Sequence, residues 1–358
     1  MGGSVIRVVV AEDSLTVREI LVEILESDPE IRVVGQAKNG AEAVELTTRL
    51  KPDLVTMDVH MPVMDGFEAT KEIMVQAPTP ILIVTSSASG REVELSLNAM
   101  RAGALMVVAK PDNPQSERFG GRRDGLAAMA KAMAQVRVVR RWAPQSRPLR
   151  PASAPRMAPG APVRLVAVAA STGGPAALLR ILSSLPGDFA VPILVVQHIA
   201  TGFVAGLAEW LSASCNLRVK VAEPGEPLLK RTVFLAPDDR HLGVSPDARV
   251  MVTDAPAVNG FRPSGTYLFA SAAQGYGATV AAVILTGMGR DGVEGLKAVK
   301  AAGGRVLAQD EPSSVVYGMP GEAVAAGVVD AVLAVDEIAR HLAELVAGGN
   351  HVDAHPRR

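Results

Sequence analysis

Short β-branched runs, each followed by a stretch of helical period, recur along most of this chain, and that alternation constrains it to wound parallel sheets. In the first part Ile6 to Ala11, Ile31 to Gly35, Leu54 to Met57, Ile81 to Thr85 and Leu105 to Ala109 read as strands. Ser14 to Ser27, Ala41 to Leu50, Gly66 to Gln76, Glu92 to Ala102 and Asp124 to Arg141 read as the helices between and after them. Further on, Val163 to Val168, Pro192 to Gln197, Val233 to Ala236, Ala281 to Leu285 and Val306 to Ala308 are again apolar runs of strand length. The carboxyl ends of parallel strands share one rim, so the residue that ends each run decides what the sheet can do.

Acids collect at the first rim. Glu12 and Asp13 follow the first strand and Asp58 follows the third, and three carboxylates crowded together are costly unless a divalent cation neutralises them. Thr85 and Lys110 end the fourth and fifth strands, where a hydroxyl and an ammonium suit the oxygens of a phosphoryl group carried by a carboxylate.

The second rim offers a different set. Val163 to Val168 runs into Ala169-Ala170-Ser171-Thr172-Gly173-Gly174-Pro175, where the glycines permit a sharp turn and Pro175 suits the first position of a helix, Pro175 to Leu182. Amides at such a turn lack helical partners and lie at the positive end of the dipole, so they favour an anion beside Ser171. The same residues alone would also serve as a phosphate loop or a helix cap. His198 ends the next run and Asp291 follows Leu285-Thr286-Gly287-Met288-Gly289-Arg290, so serine, imidazole and carboxylate converge as a triad requires. Of the six histidines only His241 competes with His198, and it opens a predicted hairpin from His241 to Val252 turning at Pro246-Asp247, which favours a structural role. Spacing does not choose among Asp291, Asp238, Asp239 and Asp310 as the acid, since all follow apolar runs.

Between the halves, Trp142 to Pro162 is rich in Pro, Ala, Ser and Arg and reads as a semi-extended basic linker. The tail from Gly348 is polar and is expected to be disordered. At 358 residues and 48% hydrophobic content the chain can fill two cores. Its 36 Lys+Arg against 37 Asp+Glu carry no nucleic-acid or membrane signature, and the first ten residues hold neither a signal pattern nor a span. A single cysteine, Cys215, suits a reducing cytoplasm.

The first half resembles the receiver domain of two-component response regulators, through Ala11-Glu12-Asp13-Ser14, Met57-Asp58-Val59-His60-Met61-Pro62-Val63-Met64-Asp65-Gly66, Val84-Thr85 and Ala109-Lys110-Pro111, over about 5–125 with a last helix to about 141. The resemblance implies a flavodoxin-like fold, Asp58 as phosphoacceptor, Mg²⁺ held by Glu12, Asp13 and Asp58, and Thr85 and Lys110 on the phosphoryl group. Glu12 stands where aspartate is more usual, and Val107 where the family often has an aromatic residue.

The second half, 163–346, resembles the chemotaxis protein-glutamate methylesterases, a Rossmann-like α/β hydrolytic domain. Ser171-Thr172-Gly173-Gly174-Pro175, Val195-Val196-Gln197-His198, Leu235-Ala236-Pro237, Leu285-Thr286-Gly287-Met288-Gly289 with Asp291-Gly292, and Ala308-Gln309-Asp310-Glu311 with Val315-Val316-Tyr317-Gly318-Met319-Pro320 occur in that family's order. Ala169, Ala200 and Asp238 depart from it, where glycine, proline and glycine are common. The resemblance implies Ser171 as nucleophile, His198 as base, Asp291 as orienting acid, and Thr172 and Met288 flanking the oxyanion. It implies no cofactor at that site, glutamyl methyl esters on chemoreceptor cytoplasmic helices as substrates, selected glutamines for deamidation, and a chemotaxis histidine kinase as phosphodonor. The other readings are a response regulator with a non-catalytic receptor-binding output domain and an acyl hydrolase of small metabolites.

Overall fold

The computed structural model describes residues 5–85, 90–110, 119–136, 138, 161–245 and 247–348. The chain divides into two compact units, Met1–Arg147 and Pro148–Arg358.

In the first unit β1 (Ile6–Ala11), α1 (Leu15–Glu26), β2 (Ile31–Ala37), α2 (Gly40–Leu50), β3 (Leu54–Met57), α3 (Gly66–Gln76), β4 (Ile81–Thr85), α4 (Gly90–Ala102), β5 (Met106–Ala109) and α5 (Phe119–Ala134) alternate without interruption. The five strands pair in parallel in the order β2-β1-β3-β4-β5. The order reverses between β1 and β3, which opens a crevice at their carboxyl ends. Helix starts follow the local chemistry: Ser14, Asn39 and Asp65 stand in extended backbone and their side chains accept amides of the first turns of α1, α2 and α3. The last helix differs from the expectation, ending at Ala134 rather than near 141. The reason is in the sequence, because Val136, Val138 and Val139 follow, and β-branched side chains lose rotamer freedom in a helix. Pro111, 139–160 and 349–358, and with them most of the expected linker and tail, lie outside the described residues.

The second unit contains β6 (Leu165–Ala170), α6 (Gly174–Ser184), β7 (Ile193–Gln197), α7 (Val204–Ser214), β8 (Arg218–Val221), β9 (Thr232–Leu235), β10 (His241–Val244), β11 (Val250–Thr253), α8 (Gly265–Tyr276), β12 (Val280–Ile284), α9 (Val293–Ala301), β13 (Arg305–Gln309), α10 (Met319–Ala325), β14 (Ala331–Leu333) and α11 (Val335–Ala347). Seven strands form one parallel sheet in the order β14-β13-β12-β6-β7-β9-β8, and β10 and β11 form the antiparallel hairpin read from the sequence. This unit is therefore doubly wound like the first, with its own reversal between β6 and β12.

Every residue of β6, β7, β9 and β12 is buried, which is why these segments read as continuous apolar runs rather than alternating ones. Alternate side chains of these strands, Leu165, Leu194, Phe234 and Ile284 among them, meet Leu268, Phe269 and Leu296 in one core, where each large apolar side chain fully withdrawn from water contributes about 1.5–3 kcal/mol. One boundary moved. The strand expected at 163–168 runs from Leu165 to Ala170, because Ala169 and Ala170, weak strand formers alone, are held by ladders to Val196 and Gln197 on β7, with Ala169 also paired to Ile284 on β12. Among the described residues no helix is long and apolar enough to cross a membrane.

Candidate active site

The sheet order β12-β6-β7 brings three strand ends side by side in the second unit. Ser171 is the first residue after β6 and is nearly buried. Its N–H donates to Thr286 O at 3.0 Å, and its carbonyl accepts from Gly174 N–H and from the Gln197 side-chain amide, both at 2.8 Å. The turn beyond it needs glycine at position 173, where φ is +77° and a Cβ would lie 2.5 Å from Val315. A Cβ on Gly287 would lie 2.6 Å from that of Ser171, so the backbone leading to Met288 approaches the serine as closely as a chain can.

His198 is the first residue after β7, and its N–H donates to Ala170 O at 2.9 Å. His198 and Ser171 follow adjacent strands that end in register, Ala170 opposite Gln197. The imidazole Nε2 donates to Asp291 Oδ2 at 3.1 Å, and its Nδ1 is buried without a hydrogen-bond partner. The ring is stacked on Phe261, with centroids 4.6 Å apart and planes 11° apart.

Asp291 is 1% exposed and is the acid the structure brings to His198. Besides the imidazole it accepts from Ser264 Oγ at 2.7 Å, Gly265 N–H at 2.6 Å and Thr266 N–H at 3.2 Å. Burial alone pushes this carboxyl up, but the hydrogen bonds from His198, Ser264 and Gly265 outweigh it and hold the carboxyl down at about 2. The open alternatives are engaged elsewhere. Asp238 accepts Gly202 N–H, Asp239 is forked by Arg262, and Asp310 accepts the Ser313 amide. His241 is fully buried, bonds the Pro256 carbonyl through Nε2 at 3.1 Å and stacks on Tyr267, a structural role as expected from its hairpin.

Thr172 is buried, with its carbonyl accepting from Thr286 Oγ1 at 2.9 Å, whereas Met288 is a large apolar side chain left exposed. Sequence reasoning missed Gln197, Phe261, Ser264, Gly265 and Thr266 as parts of this site. Two signals were present: Ser264 immediately precedes the apolar period of α8, as a helix cap does, and Asn259-Gly260 is a turn dipeptide.

In the first unit Glu12, Asp13 and Asp58 offer carboxylate oxygens that all lie within 4.8 Å of one another. Glu12 and Asp58 are buried and Asp13 is exposed. The Lys110 ammonium bridges the buried pair, 2.7 Å from Glu12 and 2.9 Å from Asp58. Burial pushes both carboxyls up, against the pull of that ammonium. Burial alone would lower Lys110, and its bonds to the two carboxylates raise it instead. Thr85 is buried one strand away, its carbonyl accepting Lys110 N–H at 2.7 Å and its hydroxyl bonding Glu92. Val107 is buried in β5.

Comparison with known proteins agrees with this division. Residues 166–342 match the CheB methylesterase family and residues 8–116 match the response regulator receiver domain family. The chain is 53% identical, over 97% of its length and 99% of the relative's, to protein-glutamate methylesterase/protein-glutamine glutaminase 4 of Myxococcus xanthus. It is 54% identical to protein-glutamate methylesterase/protein-glutamine glutaminase 3 of Anaeromyxobacter dehalogenans, over 94% of its length and 98% of that protein's. Among solved structures, the methylesterase catalytic domain of Thermotoga maritima CheB aligns with 40% identity and a TM-score of 0.50, covering 51% of this chain and 99% of that one. Two wound sheets with these strand-end residues, and a relative more than half identical along the whole length, place the chain in the CheB methylesterase family, with a response regulator receiver domain ahead of the methylesterase domain.

Proposed function

We propose that the chain is a phosphorylation-activated serine hydrolase that demethylates glutamyl methyl esters, and deamidates selected glutamines, on the cytoplasmic helices of chemoreceptors. The observation that carries this reading is the hydrogen bond from His198 to buried Asp291, with His198 ending the strand next to the one that ends at Ser171, at the reversal point of the second sheet. Asp291 stays ionised across the working range and accepts Nε2–H, so the neutral imidazole presents Nδ1 as its basic nitrogen. Ser171 Oγ bonds to the ester carbonyl carbon while its proton passes to His198 Nδ1. The resulting oxyanion is met by amides of Thr172 and Met288, the latter carried by the close approach of Gly287. Collapse breaks the bond to methoxide, which leaves as methanol with the proton from His198. Water then attacks the acyl-serine by the reverse proton path and frees the glutamate. With a glutamine side chain the same steps release ammonia. No step requires a cofactor at this site.

In the receiver, 5–125, Asp58 would accept the phosphoryl group from a chemotaxis histidine kinase, with Thr85 and Lys110 contacting its oxygens. Glu12, Asp13 and Asp58 would hold Mg²⁺, and the donor set fits: three carboxylates, two of them buried and pushed up by that burial. When bound, that ion supplies charge neutralisation for phosphoryl transfer. The methylesterase domain, 163–346, would act in the cytoplasm.

The test is release of methanol from methylated receptor by the wild type and by Ser171→Ala. Loss of several orders of magnitude with unchanged far-ultraviolet circular dichroism is expected. A variant within about tenfold of wild type would eliminate Ser171 as nucleophile, and a wild type that binds receptor without releasing methanol would favour the non-catalytic output domain.

A further inference from the structure

The segment 258–266 supports both partners of the serine at once. Asn259 and Gly260 have φ of 51° and 85°, and Val258 and Phe261 exchange both backbone hydrogen bonds across them at 3.0 Å, the geometry of a two-residue hairpin turn. That turn sets Phe261 flat against the His198 imidazole. The next residue, Arg262, forks Asp239 with two bonds of 2.9 Å and reaches the carbonyls of Asp254 and Ala255. Two residues later Ser264 caps α8, and its hydroxyl and the amides of Gly265 and Thr266 bind the Asp291 carboxylate. One stretch of nine residues therefore carries a ring on the base, an anchor, and three donors on the acid.

We propose that this segment is the positioning element of the active site and that Phe261 is the residue through which it controls His198; the proposal rests on the hydrolase reading above. His198 is bonded through Nε2 alone, which leaves the ring free to rock about that bond unless a surface holds its plane. A nearly parallel aromatic face supplies that surface. The face of a phenyl ring also carries negative potential, so it attracts the imidazolium formed during acyl transfer more than the neutral imidazole before it. An interaction that strengthens as the reaction proceeds raises kcat, whereas a residue that only lined the substrate groove would alter KM.

The experiment compares wild type, Phe261→Leu, Phe261→Tyr, Gly260→Ala and Ser171→Ala in the full chain, measuring kcat and KM for methylated receptor alongside circular dichroism. Phe261→Leu keeps apolar bulk and loses the aromatic face, so kcat falls about tenfold with KM within about twofold, and Phe261→Tyr recovers most of it. Gly260→Ala meets open space but must hold a positive φ, so it disturbs only the turn and lowers kcat in the same sense. An unchanged kcat in Phe261→Leu, or a rise in KM alone, overturns the positioning role while Ser171→Ala remains inactive. If Ser171→Ala turns over like wild type, the hydrolase reading itself falls.

Discussion

Gln197 is tied to Ser171 through a single side-chain bond: its Nε2 donates to the serine carbonyl at 2.8 Å, and the same nitrogen donates to the carbonyl of His198, also at 2.8 Å. One buried amide thus joins the main chain at Ser171 to the main chain at His198. Gly174 makes room for it, since a Cβ there would lie 2.0 Å from Gln197 Oε1.

Gln197→Leu keeps the volume and removes the donor, leaving two carbonyls without it. A stability loss of about 1–3 kcal/mol is expected, together with a fall in kcat for receptor demethylation. Urea unfolding and steady-state kinetics check both, and a variant as stable and as fast as wild type would show that the strand ladder alone fixes the pair.

The four candidate acids can be separated by pH as well as by rate. Asp291→Asn should lower kcat strongly, whereas Asp238→Asn, Asp239→Asn and Asp310→Asn, whose carboxylates serve loops, should be mild. Asp291 is held at about 2 in the folded chain against a reference of 3.8, so the folded state binds its proton less readily than the unfolded one. Its ionisation therefore adds stability that is complete above about pH 4 and fades as pH falls toward 2, about 2 kcal/mol in all. Asp291→Asn lacks that component, so the gap in urea midpoint between wild type and variant should narrow between pH 5 and pH 3.

Asp58→Asn tests the receiver. The variant should retain basal demethylation and lose the stimulation that a small phosphodonor with Mg²⁺ gives the wild type, since a phosphoryl group adds about −1.5 to −2 charge at this rim. Lys110→Met should keep divalent-ion binding, measured by calorimetry, while weakening the response to phosphodonor, because its ammonium lies against two of the three carboxylates rather than supplying a ligand oxygen. Stimulation of Asp58→Asn equal to wild type would relocate the phosphoacceptor.

The fold was legible because burial on both faces writes itself as uninterrupted apolar runs; β3, α3 and β4 occur at the expected residues. Ser171 and His198 drew attention for the same reason, as the first residues at the ends of such runs able to give up or take a proton. Asp291 was ambiguous because an acid that lies several residues beyond a strand is placed by the loop, and the loop's direction depends on partners remote in sequence, Ser264 to Thr266. Phe261 was illegible as a site residue since a lone phenylalanine in a polar stretch has no period. Only the Asn259-Gly260 turn gives its side chain a direction.

The order β12-β6-β7 also bears on how such a hydrolase can be altered. Ser171 and His198 follow directly on β6 and β7, and neighbouring strands are held about 4.8 Å apart by main-chain hydrogen bonds. The spacing of Ser171 and His198 is therefore a property of the ladder, and segments away from this rim can be exchanged between relatives, lengthened or redesigned for a new polypeptide target without disturbing it. The stretch that carries Phe261 and Ser264 would have to be transplanted whole, together with the loop that carries Asp291.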